Sequence, residues 1–230
     1  SNANLSGAKI SWFDQSASRY AEVYSLKNAV FFNADLTNAE LSYGILENVD
    51  FRGANMTNTK IGESVSYKNT IMSDGVIKNF KADPASDIRK YTPVENGEMI
   101  SAKIAEEDAT LNGSRLMLGQ GAFFEITNGK TLTNSSEIQI DTDLGGSTIF
   151  KVDGNAGLTF EHGAKLTVNL IGDISEEDAY TFTAMTFEDD ARIAGLEDLL
   201  KDGNLFLTVL GKKFNGSWDY AIKDNNLLIS

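Results

Sequence analysis

The chain has 230 residues, 33 of them Asp or Glu against 20 Lys or Arg, for a formal charge of −13, and its basic residues cluster no further than pairs such as Arg89-Lys90 and Lys212-Lys213. A phosphate backbone needs clustered positive charge, so no nucleic-acid partner is expected. Cysteine is absent, which excludes disulfides, thiolate zinc sites and a cysteine nucleophile together, and which suits a bacterial exported protein.

A hydrophobic fraction of 41% supplies a continuous core for one large or two small domains. Two prolines beside 20 glycines, with many Asn, Asp, Ser and Thr, predict short strands joined by turns of positive φ, and little helix. No stretch approaches the roughly 18–20 apolar residues of a membrane helix, so no direct insertion by this chain is expected.

At the N-terminus, Ser1-Asn2-Ala3 reads as the remnant of a removed tag. Ala3-Asn4-Leu5-Ser6-Gly7 and Ala8-Lys9-Ile10-Ser11-Trp12 then form two five-residue units. The main run starts one residue out of phase with them, so an insertion near Phe13 to Tyr24 is expected to absorb the slip. Residues 29–63 divide into AVFFN, ADLTN, AELSY, GILEN, VDFRG, ANMTN and TKIGE. The third position is always large and apolar: Phe31, Leu36, Leu41, Leu46, Phe51, Met56 and Ile61. Two places earlier stands a small or slim residue: Ala29, Ala34, Ala39, Gly44, Val49, Ala54 and Thr59.

A period of five fits neither the 3.6 of a helix nor the 2 of a flat strand. Five residues per side, with a corner after each, put every large residue inward. The pattern resembles the pentapeptide-repeat family, with its motif A-(D/N)-L-x-x. The resemblance implies a right-handed parallel β-helix of square section with four repeats per coil, covering residues 4–80. Because the pattern begins at once, the helix is expected to continue upstream in a longer protein. After Ile61 the motif decays through Val65, Ile71 and Val76.

Both prolines fall in residues 81–99, which read as a linker or loop. Residues 100–230 carry short apolar pairs divided by Gly, Asn or Asp: Leu116/Leu118, Phe124/Ile126, Ile138/Ile140, Ile149/Val152, Leu158/Phe160 and Leu166/Val168. An antiparallel sandwich would satisfy that spacing. Phrases such as Gly157-Leu158-Thr159-Phe160 and Lys165-Leu166-Thr167-Val168 resemble the passenger regions of bacterial autotransporters, which implies a wider parallel β-helix with rungs of about 20 to 25 residues. Residues 189–203 predict a short helix with Ile193, Leu196, Leu199 and Leu200 on one face and Gly203 closing it. Strands follow near Leu205–Leu210, Trp218–Ile222 and Leu227–Ile229, a helix and hairpin that would cap an otherwise open end.

Candidate chemistry is sparse. His162, in Glu-His-Gly, has no nucleophile-elbow motif to serve and reads as an exposed turn residue. Asp141-Thr142-Asp143 is the strongest local pair: alternate strand residues share a face, so Asp141 and Asp143 could hold Ca²⁺ or work as acid and base, though two solvated turn carboxylates are the commoner outcome. The acidic runs Glu106-Glu107-Asp108 and Glu176-Glu177-Asp178 lack the spacing of a calcium loop. Trp12, Tyr20, Tyr24, Phe80, Trp218 and Tyr220 could stack on sugars or fill the core. No cofactor and no catalytic residue is implied.

Three functions compete. The first is a non-enzymatic structural or adhesive segment of a bacterial surface or secreted protein, with a protein or glycan as partner and an export signal upstream. The second is a carbohydrate-binding or carbohydrate-active module, marked by a groove with three or more carboxylates beside Lys or Arg, or by a row of exposed aromatics. The third, implied by the pentapeptide resemblance, is DNA mimicry against topoisomerases, which needs a negative stripe along the repeat. Residues 1–80 hold seven basic against eight acidic residues, and Lys27, Arg52 and Lys60 interrupt any stripe, so this reading is disfavoured.

Overall fold

The computed structural model describes residues 3–10, 25–80, 88–91, 100–172 and 180–230, and the chain divides into two compact units. Trp12, Tyr20, Tyr24 and the second acidic run, at 176–178, lie outside the described residues.

In the first unit, strands β1 (Lys9–Ile10) and β2 (Ser25–Lys27) lie parallel to β3 (Glu40–Glu47), which lies parallel to β4 (Lys60–Lys68). A short antiparallel pair, β5 (Thr70–Ile71) and β6 (Ile77–Lys78), follows. Ser25 pairs with Ile45, Val30 with Asp50, Asp35 with Asn55 and Glu40 with Lys60. Each of these steps spans four pentapeptides, and the four pairings mark four sides.

Two departures interrupt that count. Asn4 pairs with Asp35 and Lys9 with Glu40, a step of six pentapeptides and one residue, so two pentapeptides and one residue more than usual stand between Ile10 and Ser25. The odd residue explains the change of phase. The second departure is a bulge: Leu41 pairs with Ile61, but Tyr43 pairs with Ser64. Gly62 sits there so close to Ser42 that any added Cβ would collide with the Ser42 carbonyl oxygen. Downstream, Tyr67 stands opposite Leu46, so the motif does not simply fade after Ile61 but is carried one residue out of phase.

The repeat has a physical reason at each position. Leu36, Leu41, Leu46 and Phe51 are buried beside Ala34, Ala39, Val49 and Ala54, while Phe31, Met56, Ile61 and Ala29 are half-buried and pack against that cluster. Phe31 and Phe51 stack at 5.0 Å. The second position caps the turn, with Asp35, Asp50 and Asn55 accepting from the backbone N–H two residues on. The fifth position takes positive φ, as in Asn33, Asn38, Asn48, Gly53 and Asn58, a conformation that Asn and Gly tolerate best. Tyr43 and Glu63 break that rule, and there β3 and β4 run straight through the position.

The second unit is built from three parallel sheets. Sheet one runs β7 (Ile88–Tyr91), β10 (Arg115–Leu118), β13 (Glu137–Thr142), β16 (Lys165–Leu170) and β19 (Leu205–Val209). Sheet two runs β8 (Ala102–Ile104), β11 (Phe123–Ile126), β14 (Ile149–Val152) and β17 (Phe182–Phe187). Sheet three runs β9 (Ala109–Leu111), β12 (Thr131–Asn134), β15 (Gly157–Phe160) and β18 (Arg192–Ala194). Successive strands along the chain visit the three sheets in turn, as rungs of a parallel β-helix require, and the antiparallel sandwich is excluded by the parallel registers.

Strand β7 corrects the expected linker at 81–99. Its four residues pair along β10, and a strand this short has too little sequence for an alternation to register. Rung steps in this sheet are uneven: the step from Ile88 to Arg115 is longer than that from Arg115 to Glu137, and from there they lengthen through Glu137–Lys165 to Leu166–Leu205, so most exceed the expected length. Inward rows include Leu116–Ile138–Leu166 and Leu118–Ile140–Val168, all fully buried. Phe124 and Phe150 stack at 5.5 Å.

The helix α1 (Leu196–Lys201) is shorter than expected because Ile193 belongs to β18. Gly195 at its start lies so close to the carbonyl oxygen of Phe160 that no Cβ would fit. Leu196, Leu199 and Leu200 are buried, and Gly203, at φ 70°, closes the helix. Three antiparallel strands end the unit. Strand β20 (Lys212–Lys213) adds to β19, β22 (Asn226–Ile229) adds to β17, and β21 (Tyr220–Lys223) adds to β22.

Candidate functional site

Alternation along the strands of sheet one sends Leu116, Leu118, Ile138 and Ile140 inward and leaves Arg115, Met117, Glu137, Gln139 and Asp141 on the outer face. Because the registers are parallel, Arg115, Glu137 and Lys165 fall in one row, Met117, Gln139, Thr167 and Phe206 in the next, and Asp141, Asn169 and Thr208 in a third. The C-terminal segment carrying Phe214, Trp218 and Tyr220 forms a wall beside these rows. Together they enclose a groove of about 1060 Å³.

The floor is held by its own hydrogen bonds. Arg115 Nε donates to Glu137 Oε2 at 3.0 Å and Nη1 to Gln139 Oε1 at 3.1 Å. Gln139 Nε2 donates to Asp141 Oδ1 at 2.7 Å, and Asn169 Nδ2 donates to the same oxygen at 2.9 Å. Thr167 Oγ1 donates to Glu137 Oε1, while Thr208 Oγ1 and the Gly211 N–H donate to Asn169 Oδ1. Gln139, Asp141, Thr167 and Asn169 are all at least nine-tenths buried. Such a network fixes side-chain positions before any ligand arrives.

Asp141 and Asp143 do different work. Asp141 belongs to the groove floor, whereas Asp143 lies past the end of β13 and accepts from the Gly145 and Ser147 N–H groups and from Gln120 Nε2. Hydrogen bonds from Ser147 and Gln120 hold the Asp143 carboxyl below its usual value. Among the described residues no group of three or more His, Cys, Asp or Glu is placed to hold a metal ion. His162 is almost wholly exposed, 3.9 Å from Asp202. Glu106, Glu107 and Asp108 are exposed, and Asp108 accepts from the Thr131 N–H. Phe80 is buried, and Trp218 and Tyr220 line the groove.

Two carboxylates, Glu137 and Asp141, line the groove, one fewer than the three that mark the carbohydrate-active reading. Four aromatic residues line the groove, of which Phe206 and Tyr220 are exposed and Phe214 and Trp218 half-buried. Of these, Phe206 and Phe214 escape a reading of the sequence, as do Arg115, Gln139 and Asn169. For Arg115, Gln139, Asn169 and Phe206 the signal is an outward position recurring once per rung, visible only when the rung length is known, whereas Phe214 follows β20 outside any rung.

A second cluster sits on sheet two. Lys151 Nζ lies 2.6 Å from Asp153 Oδ1 and 2.7 Å from Glu188 Oε1, and these hydrogen bonds raise the lysine above its usual value. Burial, then repulsion from Asp153, pushes Glu125 up, while Ser101 Oγ donates to it.

Four-sided coils that stack once every four pentapeptides, small residue on small and large on large, define a solenoid of the pentapeptide-repeat class. Residues 25–64 match the family described as pentapeptide repeats, in eight copies. Proteins with such repeats are generally structural or protein-interaction modules. Neither a curated protein nor a solved structure matches the chain.

Proposed function

We propose that this protein is a non-enzymatic interaction segment of a larger bacterial surface or secreted protein, in which stacked coils act as a rigid support and the outer face of sheet one meets the partner. The observation that carries the reading is the groove itself, whose polar floor is preorganised and whose wall presents aromatic rings. The cysteine-free, acidic, Asn- and Thr-rich sequence supports an exported setting.

Topoisomerase inhibition by DNA mimicry draws no support from the coils. Glu47 is flanked by Lys27 at 3.3 Å and Lys68 at 3.2 Å, and Arg52 pairs with Asp50, so the faces are neutralised in place.

The test is protease shaving of intact cells that express the full-length protein. Loss of the groove epitope without lysis is the expected result. Full protection in intact cells, with digestion only after lysis, would overturn the surface assignment, and the same epitope recovered from the medium would place the protein among secreted ones.

A further inference from the structure

We propose that the groove on sheet one is a binding site for a linear oligosaccharide, laid along the stacking direction with one sugar ring against the Trp218 wall. This rests on the interaction-module reading above and adds the chemical class of the partner. Four observations converge on it.

The first is an open valence in the floor. Asp141 is 7% exposed, and both of its side-chain hydrogen bonds arrive at Oδ1, from Gln139 and Asn169. No hydrogen bond among the described residues reaches Oδ2, although the side chain lines the groove. A carboxylate oxygen of a buried residue without a donor invites one from outside, and a sugar hydroxyl is a neutral donor that fits a site already fixed by amides.

The second is the company that oxygen keeps. Flat rings and a planar polar floor share one groove, with Phe206 and Tyr220 each 38% exposed. Pyranose rings have an apolar face of C–H groups and an edge of hydroxyls, so they use both surfaces at once. A purely apolar partner would leave the Asp141 oxygen unpaired, at a cost in affinity.

The third is charge. Arg115, Lys165 and Lys213 line the groove together with Glu137 and Asp141, a balance of three cations to two anions in a chain of net charge −13. This is a local break in an acidic surface, which admits neutral and uronic sugars alike and does not select a basic peptide.

The fourth is length. The lining runs over four adjacent strands, from Arg115 on β10 to Thr208 on β19, which at an inter-strand spacing of about 4.8 Å is roughly 14 Å of track. The row repeats once per rung, as the hydroxyls of a linear glycan repeat once per sugar.

The experiment is a titration of the purified protein with cellohexaose and with an oligogalacturonate of equal length, read by tryptophan fluorescence and by calorimetry. Saturable binding of at least one sugar is expected, with a loss of tenfold or more in Trp218→Ala and in Asp141→Asn and no change in Lys103→Ala on sheet two. Thermal melting of each variant guards against misfolding, and Phe206→Ala, with the same expected loss, replaces any variant that fails to fold. No response to either sugar, binding unaffected by these substitutions, or binding of an acidic peptide in place of sugar would each overturn the assignment. If the sugars fail while protease shaving still finds the protein on the cell surface, the oligosaccharide proposal falls alone. If the sugars bind and shaving finds it inside, the surface reading falls alone.

Discussion

Arg52 and Asp50, two residues apart in one pentapeptide, form a buried ion pair in which Arg52 Nη2 lies 2.7 Å and Nε 3.0 Å from the carboxylate oxygens, with the guanidinium side chain only 1% exposed. The same guanidinium lies 5.0 Å over the Phe32 ring, and Asp50 Oδ1 also accepts the Arg52 backbone N–H. One carboxylate thus caps a corner and neutralises a buried charge.

Removing that carboxylate should therefore cost more than a turn cap. Asp50→Ala takes a carboxylate away from a buried guanidinium and removes the cap, and the expected loss is roughly 3–5 kcal/mol of stability in urea unfolding. The double variant Asp50→Asn/Arg52→Met keeps the cap and removes both charges, and should recover a large part of the loss. Equal destabilisation in the two variants would show that neither the stranded charge nor the lost cap accounts for the loss.

The core of the coil offers a second measurement. Leu41 is fully buried among Leu36, Leu46 and Phe51, so Leu41→Ala should cost about 2–5 kcal/mol. Leu41→Asp, which buries a carboxylate with no partner, should unfold the first unit outright. Retention of the parental melting temperature by Leu41→Asp would contradict the register.

Corner residues can be tested without touching the core. Asn48 has φ 54° and donates to Asn28 Oδ1 at 3.0 Å in the neighbouring coil. Asn48→Ala should lose about 1–2 kcal/mol from left-handed backbone strain, and Asn48→Gly should lose less, since glycine adopts the same φ freely. Thermal denaturation of the two variants side by side gives the order.

The Lys151 cluster predicts an acid dependence. Glu188 is held below its usual value by Lys151 and the Gly154 N–H, and Asp153 is held low against opposing burial by its hydrogen bond from Lys151. The unfolded chain then binds these protons more readily, so the contribution to stability is present above the ordinary carboxylate range and lost as the pH falls below about 4. Glu125, raised by burial, acts with the opposite sign and recovers stability as it protonates. Lys151, raised, contributes fully at neutral pH and loses its share only above its usual alkaline value. Urea midpoints measured from pH 2 to 7 should show a shallower acid slope for Lys151→Met than for the parent, from a lower starting stability.

The period-of-five coils are legible in the sequence because each position repeats one physical task, and Leu41 and Ala39 announce theirs by size alone. The role of Asn at the corners is equally regular, yet polar residues in a loop look alike until the φ angles are known. The second unit hides its period. Arg115, Glu137 and Lys165 are neighbours on one face, but the stretch of chain from the first to the second is shorter than that from the second to the third, so no fixed spacing links them. Trp218 and Tyr220 can be singled out as aromatic, but the floor they stand beside is assembled by strand register and not by local pattern.

The first unit's two interruptions have a consequence for how the chain finds its native pairing. Successive pentapeptides are nearly interchangeable, so a coil one pentapeptide too short or too long would still lay small residues on small and large on large, and such competitors differ little in energy. The step of 31 residues across Ile10–Ser25 and the Gly62 bulge each depart from the regular step of 20 at one place among the described pairings, and so break that equivalence. Irregularity thus serves as an address: it tells otherwise identical segments which neighbour is theirs.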